Sequence, residues 1–131
     1  MTGLDTNILV RYFAQDDLVQ SATATDVIER RFTEQEPGFV SIVTMAETVW
    51  VLDRAYRLGR EGIVAAIERM LGADALVIEN EREVFTAMTA LQEGSGEFAD
   101  ALIGALSAKA GCSRVLTFDR EALALPGFEL P

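Results

Sequence analysis

Four acidic residues spread along the sequence carry its most informative chemistry. They are Asp5, Glu47, Asp100 and Asp119. Ligand sets made only of oxygen atoms select hard cations, and an octahedral site completed by water suits Mg²⁺ or Mn²⁺. Such an ion orients a phosphodiester, lowers the pKa of a bound water and stabilises the leaving oxygen. The chemistry that these four residues predict is metal-assisted hydrolysis.

The sequence also excludes several other kinds of chemistry, because its 131 residues include no histidine. Imidazole acid–base pairs, Ser-His-Asp triads and histidine-ligated zinc sites are therefore absent. An enzyme with this sequence works with carboxylates, hydroxyls, backbone groups or a metal ion.

Each acid taken alone also has a structural explanation. Asp5 ends the first predicted strand and Asp119 follows a later one, and aspartate often caps a helix there. Glu47 has mostly apolar neighbours on its predicted helix, so we expect it to be partly desolvated unless it reaches water from an edge. Asp100 falls in the first turn of a helix, where the helix dipole favours negative charge, and Gly104 would leave room beside it.

Taken together, the four acids predict mutual repulsion in the protein without metal. Close carboxylates repel by up to about 4 kcal/mol per pair at an effective dielectric near 20. We therefore expect some of their pKa values to be raised. Glu97, close to Asp100 in the sequence, is either an accessory acid or a solvated side chain.

The elements that position these acids alternate between short apolar strands and helices. The predicted strands cover residues 1–6, 39–40, 75–78, 115–118 and 128–130. Helices are predicted over residues 8–13, over residues 41–58 before Gly59, and over residues 98–110, which carry a stripe of apolar residues. One further helix begins after an N-cap at residue 17, another ends at Gly72, and another begins with a capping box at 80–83. This alternation predicts an α/β domain with a mostly parallel sheet, helices on both faces, and a functional crevice beyond the carboxyl ends of the strands.

Length and composition predict a single domain over residues 1–131. Half of the residues are hydrophobic, a surplus that favours a partner surface or a homodimer. No apolar run reaches the roughly 18 residues of a membrane span, and we expect no secretion signal, because residues 1–5 contain neither a basic region nor a long apolar stretch. The single cysteine, Cys112, excludes an intramolecular disulfide and favours the cytoplasm. We expect it to be a small buried residue in a turn.

The acidic motifs resemble, in kind and order, those of the PIN-domain family. The four segments are GLDTNIL at 3–9, SIVTMAE at 41–47, FADALI at 98–103 and LTFD at 116–119. The resemblance spans essentially the whole chain, and the length suits the stand-alone VapC-type toxins of bacterial toxin–antitoxin pairs.

This resemblance implies a Rossmann-like parallel sheet flanked by helices and a Mg²⁺-dependent endoribonuclease. It implies a homodimer, a cognate VapB-type antitoxin that occupies or blocks the site, and contact with DNA only through that antitoxin. By the same similarity, the four acids would bind the metal and catalyse the reaction. Asn7 and Thr117 would orient the carboxylates or water, although both residues are also common in turns and caps.

The charge of the chain is the main feature that opposes RNA binding. The formal net charge is −10, and a surface of that sign repels a polyanion. Ten of the eleven basic residues are arginines, which suit bidentate phosphate contacts. The candidates for a local RNA-binding rim are Arg11, Arg54, Arg57 and Arg60. Arg54 and Arg57 would alternatively stabilise the end of a helix, and an acidic toxin also suits a basic antitoxin segment.

Three other classes of protein compete with this interpretation. A phosphoacceptor receiver domain needs a lysine near the end of a late strand, but Lys109 is the only lysine and falls in a helix. A haloacid-dehalogenase-type phosphatase needs a second aspartate two residues after the first, where Asn7 stands. The third alternative is a catalytically inert PIN-like domain that binds proteins, and the intact acidic set argues against it.

Overall fold

A computed structural model describes residues 1–131. The chain folds as two compact units, Met1–Glu79 and Asn80–Pro131, each with its own helices and parallel strands. The expectation of a single domain over the whole chain stays a prediction.

The first unit contains a three-stranded sheet in the order β1-β2-β3, with both strand pairs parallel. Parallel pairing confirms the α/β prediction, and it brings the carboxyl ends of the three strands to the same edge. The elements are β1 (Thr2–Gly3), α1 (Thr6–Ala14), α2 (Leu18–Asp26), β2 (Gly38–Val40), α3 (Ile42–Arg54), α4 (Gly59–Gly72) and β3 (Leu76–Ile78).

Helix α2 begins where the sequence predicts. Asp17 is its N-cap, and the carboxylate accepts the backbone N–H groups of Val19 and Gln20 at 3.1 and 2.7 Å. The helix then widens into a single π turn over Val27–Arg31, which closes with a hydrogen bond from the Phe32 N–H to the Val27 carbonyl.

Helix α3 is shorter than the predicted range of 41–58. It ends at Arg54, because Arg57 adopts a left-handed conformation with φ of 51°. The Leu58 N–H then reaches back to the Leu52 carbonyl at 3.2 Å. The Arg57 N–H bonds to the Asp53 carbonyl at 3.1 Å, so this is the αL type of helix ending, and it forms before the predicted stop at Gly59.

The second unit pairs two helices with two short parallel strands. Its elements are α5 (Glu81–Gln92), α6 (Phe98–Lys109), β4 (Val115–Leu116), a 3₁₀ turn (Ala122–Ala124) and β5 (Phe128–Glu129). Helix α5 packs against α6. Strand β4 is shorter than the predicted 115–118, since Phe118 lies beyond the paired residues and is 87% exposed.

Two predictions about the helices of this unit are wrong. Asn80 adopts a left-handed conformation and its side chain does not cap α5, so residues 80–83 form no capping box. On α6 the buried residues are Phe98, Ala101 and Leu102, whereas Ile103 from the predicted stripe is half exposed. Burial on α6 therefore follows a different side from the predicted one.

Much apolar surface is exposed to solvent. No helix has both the length and the mean hydropathy needed to cross a bilayer. The Cys112 thiol is exposed, so the expectation of a buried cysteine is wrong. The hydrophobic side chains more than half exposed are Met1, Leu18, Val19, Val43, Trp50, Phe85, Leu116 and Phe118.

Candidate functional site

The first candidate acid stands at the carboxyl edge of the sheet in the first unit. Asp5 follows β1 and is the N-cap of α1, with an extended backbone. Its carboxylate accepts the backbone N–H of Thr6 at 2.7 Å. Its exposed side chain is therefore fixed by the helix that it starts.

Helix α3, which carries the second acid, is anchored at the same edge. Ser41 follows β2 and caps α3 by accepting the Thr44 N–H at 3.1 Å. The buried Thr44 hydroxyl donates in turn to the carbonyl of Leu4, at the end of β1, at 3.2 Å. These bonds tie the first turn of α3 to the strand that precedes Asp5.

Glu47 lies nearly one helical turn after Thr44 on α3. Thr6 connects Glu47 to Asp5 through hydrogen bonds. The Thr6 hydroxyl donates a hydrogen bond to Glu47 Oε1, and the Thr6 N–H donates to Asp5. One buried residue thus holds both candidate acids of this unit. Sequence reasoning missed Thr6, although it shares a side of α1 with the buried Leu9 and Val10.

The expectation that Glu47 is partly desolvated is wrong, because its side chain is exposed. The apolar residues on either side of it do not enclose it. Val43 is 72% exposed and Trp50 is 59% exposed, so both lie on the solvent side of α3 with Glu47.

A further carboxylate at this edge, Glu79, has a structural role. It follows β3, and its Oε1 accepts the Ile42 N–H at 2.8 Å, at the start of α3. This contact satisfies a backbone donor that the helix itself leaves unpaired. Glu79 therefore positions α3 and is not a candidate metal ligand.

In the second unit, Asp100 and Asp119 are close enough for their charges to interact. Asp100 lies in the first turn of α6 and is half-buried. Burial raises its pKa above the ordinary value, and the negative charges of Asp119 and Glu121 raise it further. The expected repulsion is present at this acid. Glu121, two residues after Asp119, was missed by sequence reasoning.

Asp119 follows β4 and is held by local hydrogen bonds. Its N–H donates to the Thr117 hydroxyl at 3.0 Å, and its carboxylate accepts the Glu121 N–H at 2.9 Å. The Thr117 hydroxyl therefore contacts the backbone of Asp119, and its role in orienting carboxylates or water stays a prediction. Asn7, the other predicted orienting residue, is exposed on α1.

Near Asp100, Gly104 has a different role from the expected one, whereas Glu97 is exposed, in agreement with one of its two predicted alternatives. A Cβ on Gly104 would lie 2.7 Å from the ring of Phe128, so the missing side chain makes room for that ring and not for the carboxylate. Glu97 occupies the N-cap position of α6, where it is exposed and makes no capping hydrogen bond to the helix.

The arginines predicted to form an RNA rim differ in availability. Arg11 is held by Asp16 at 3.1 Å, by Gln20 at 2.8 Å and by the Tyr56 hydroxyl at 3.3 Å. The Tyr56 hydrogen bond is the main reason that the pKa of Asp16 is lowered, and the Asp16 charge raises the pKa of Arg11. Arg11 is thus held in a local hydrogen-bonded cluster with Asp16, Gln20 and Tyr56.

The other rim candidates lie near the end of α3 and the start of α4. Arg54 is exposed and 3.9 Å from Asp53. Arg57 and Arg60 are exposed on either side of Gly59.

Each unit thus holds two of the four candidate acids, and neither unit gathers three or more carboxylates into a metal-binding group by itself. All four offer only carboxylate oxygens, the donor type that hard divalent cations prefer. Burial is the main cause of the raised pKa of Asp100, and the nearby charges of Asp119 and Glu121 add a smaller repulsion that a cation would relieve.

Comparison with known proteins identifies the family. A family model described as the PIN domain matches residues 4–127, and the chain belongs to that family. No curated protein matches the sequence. Among solved structures, the chain is similar to Mycobacterium tuberculosis VapC20, described as a sarcin-ricin loop cleaving toxin. The TM-score is 0.47 and the sequence identity is 22%. The match covers 95% of this chain and 94% of that chain.

Proposed function

We propose that this PIN domain is a metal-dependent endoribonuclease that hydrolyses RNA phosphodiester bonds with Mg²⁺, for which Mn²⁺ can substitute. The observation that carries the proposal is the matched pattern of acids. The family match over residues 4–127 includes all four. In the first unit Thr6 hydrogen-bonds to both Asp5 and Glu47, and in the second unit the charge of Asp119 acts on Asp100.

Asp5, Glu47, Asp100 and Asp119 are the proposed metal ligands and catalytic residues. When bound to them, a divalent cation would lower the pKa of a water and neutralise charge on the phosphodiester. The protein's own task is to hold the carboxylates in place. Thr6 does this for two of them, and the Thr117 hydroxyl accepts the N–H of Asp119.

The proposed biological role is that of the toxin in a VapBC-type toxin–antitoxin pair, acting in the cytoplasm. Its support is the order and local context of the four acidic motifs. A cognate VapB-type antitoxin would then block the site and provide the only link to DNA. The exposed apolar residues, led by Leu18 at 96%, support a homodimer or a partner surface.

Cleavage of purified total RNA tests the enzymatic proposal. The full chain with Mg²⁺ or Mn²⁺ should produce discrete fragments, whose mapped ends identify the target, and a chelator should abolish them. Asp5→Asn and Asp119→Asn should each remove the activity. Glu68→Gln, which changes an exposed acid on α4, is the matched control and should cleave like the wild type.

The same assay separates the proposal from an inert protein-binding domain. A chain that binds divalent cations but cleaves no RNA under any metal condition would support the inert alternative. Cleavage that persists in the chelator would contradict the metal requirement itself.

A further inference from the structure

The exposed side of α3 carries an aromatic residue next to a candidate catalytic acid. Val43, Glu47, Trp50 and Arg54 are spaced by three or four residues, so they lie on one face of the helix. All four are exposed. Side chains at this spacing have Cβ atoms about 5–6 Å apart, so the indole of Trp50 lies within reach of the Glu47 carboxylate.

Trp50 is unusual because it is the chain's only tryptophan and is 59% exposed. Tryptophan is on average highly buried, since its large ring gains much from leaving water. An uncovered indole face in a folded chain therefore points to a ligand that supplies the missing contact.

We propose that Trp50 is a stacking platform for an unpaired nucleobase of the RNA substrate, close to the phosphodiester that is cleaved. The inference rests on the proposed ribonuclease function and adds a positioning residue to it. Aromatic side chains bind single-stranded RNA in this way, because every base has a π face and unpaired bases can turn outward.

The position of Glu47 favours a nucleobase over a protein partner on this face. Glu47 lies between Val43 and Trp50 along the helix, so a protein surface that covered both would also cover its carboxylate. That carboxylate accepts a hydrogen bond from Thr6, and burying its charge without a further partner would be costly. A base stacked on the indole covers only the ring and leaves Glu47 facing the backbone of the RNA.

The charge of the chain is a second reason to expect stacking of a nucleobase on Trp50. With a net charge of −10, the protein gains little from displacing the counterions of RNA. Stacking on an aromatic ring does not depend on net charge, so it supplies affinity despite the excess of acidic residues. We therefore expect binding at Trp50 to favour single strands and to depend only weakly on salt.

The only tryptophan also reports directly on the proposed contact. The full-length Asp100→Asn chain, which should not cleave, is titrated with a 12-residue oligoadenylate and with the same sequence annealed to its complement. Saturable quenching of tryptophan fluorescence by the single strand, but not by the duplex, is expected. Lack of quenching by the single strand would overturn the proposal.

Steady-state kinetics supply a readout that a structural role would not produce. Trp50→Ala should raise KM for RNA about tenfold or more and leave kcat nearly unchanged, whereas Trp50→Phe should restore most of the affinity. Val43→Ala on the same face should behave like the wild type. So should Phe85→Ala, a residue 56% exposed that lines a groove without any candidate acid.

Two further outcomes separate the possible failures. An unchanged KM in Trp50→Ala, with normal cleavage, would sink the stacking role and leave the ribonuclease proposal intact. A blue shift of the fluorescence with rising protein concentration, before any RNA is added, would assign the face to a second copy of the chain. If RNA quenches Trp50 but no metal supports cleavage, the stacking contact stands and the ribonuclease proposal fails.

Discussion

At the scale of single residues, Thr6 is the most connected group in the candidate site. It is 8% exposed, and its two hydrogen bonds go to the two acids of the first unit. A carboxylate on an exposed helix face has many rotamers, and a fixed donor restricts them. Thr6 therefore fixes Glu47 without being an acid itself.

Replacement of this hydroxyl tests the positioning role. Thr6→Val keeps the shape but removes the donor to Glu47, so we expect kcat for RNA to fall about tenfold, the loss that corresponds to roughly 1.4 kcal/mol of positioning energy. Thr6→Ser keeps the donor and is the control. Equal kcat in all three proteins would show that Glu47 needs no help from Thr6.

The raised pKa of Asp100 predicts how stability changes with pH. Because the folded protein holds this proton more tightly than the unfolded chain does, the free energy of unfolding falls as pH rises above the ordinary carboxyl pKa of 3.8. Asp100→Asn removes that loss. Without metal, the variant should melt at an equal or higher temperature at neutral pH, and the difference should vanish in acid.

The control for this measurement is Asp74→Asn, which changes an exposed acid of the first unit. It should leave the melting temperature at neutral pH unchanged. Marked unfolding of Asp100→Asn at neutral pH would instead assign Asp100 a structural role.

The sequence predicts the positions of the acids better than it predicts their surroundings. Asp5 and Asp119 were identified because each follows the end of a predicted strand. This pattern is local and can be recognised in the sequence. Thr6 and Glu121 were missed, because their importance depends on contacts to residues that are not visible from spacing alone. Glu47 was expected to be partly buried, since its apolar neighbours were assumed to face inward.

At the scale of elements, the starts of α2 and α3 were predicted correctly, whereas the cap of α5 and the end of α3 were not. Asp17 and Ser41 cap their helices with side chains that reach backbone groups two or three residues away, so the signal is local. The end of α3 depends instead on Arg57, which adopts a left-handed conformation. Glycine is the usual residue in that conformation, so an arginine gives no signal of it in the sequence. The parallel strands were predicted, but β4 pairs over only two residues.

The packing of Gly104 gives a stability prediction at this scale. In Gly104→Ala, the new Cβ would lie 2.7 Å from Cε2 of Phe128, so α6 or the ring must shift. We expect a loss of about 1–3 kcal/mol in urea unfolding, the usual cost of overpacking. Gly72→Ala, at the end of α4, meets no atom within 4 Å and is the control.

A double variant shows whether the ring is the cause. Adding Phe128→Ala to Gly104→Ala should make the alanine at 104 nearly neutral, because the two residues are in contact and their effects are not additive. A full loss in the double variant would place the strain in the helix instead.

At the scale of the whole molecule, the excess of negative charge predicts stabilisation by divalent cations. Binding to the native state alone adds about 2.7 kcal/mol at a concentration one hundred times Kd. Mg²⁺ or Mn²⁺ should therefore raise the Tm by several degrees in differential scanning fluorimetry. NaCl at the same ionic strength is the control for general screening, and Asp5→Asn should lose most of the shift.

The exposed Cys112 has a practical consequence for any measurement of mass. A solvent-facing thiol is open to air oxidation, and two copies joined through it would form a covalent pair that imitates self-association. Sedimentation and light scattering therefore need a reductant or the Cys112→Ser chain. The same thiol is a single attachment point for a spin label or a surface linker.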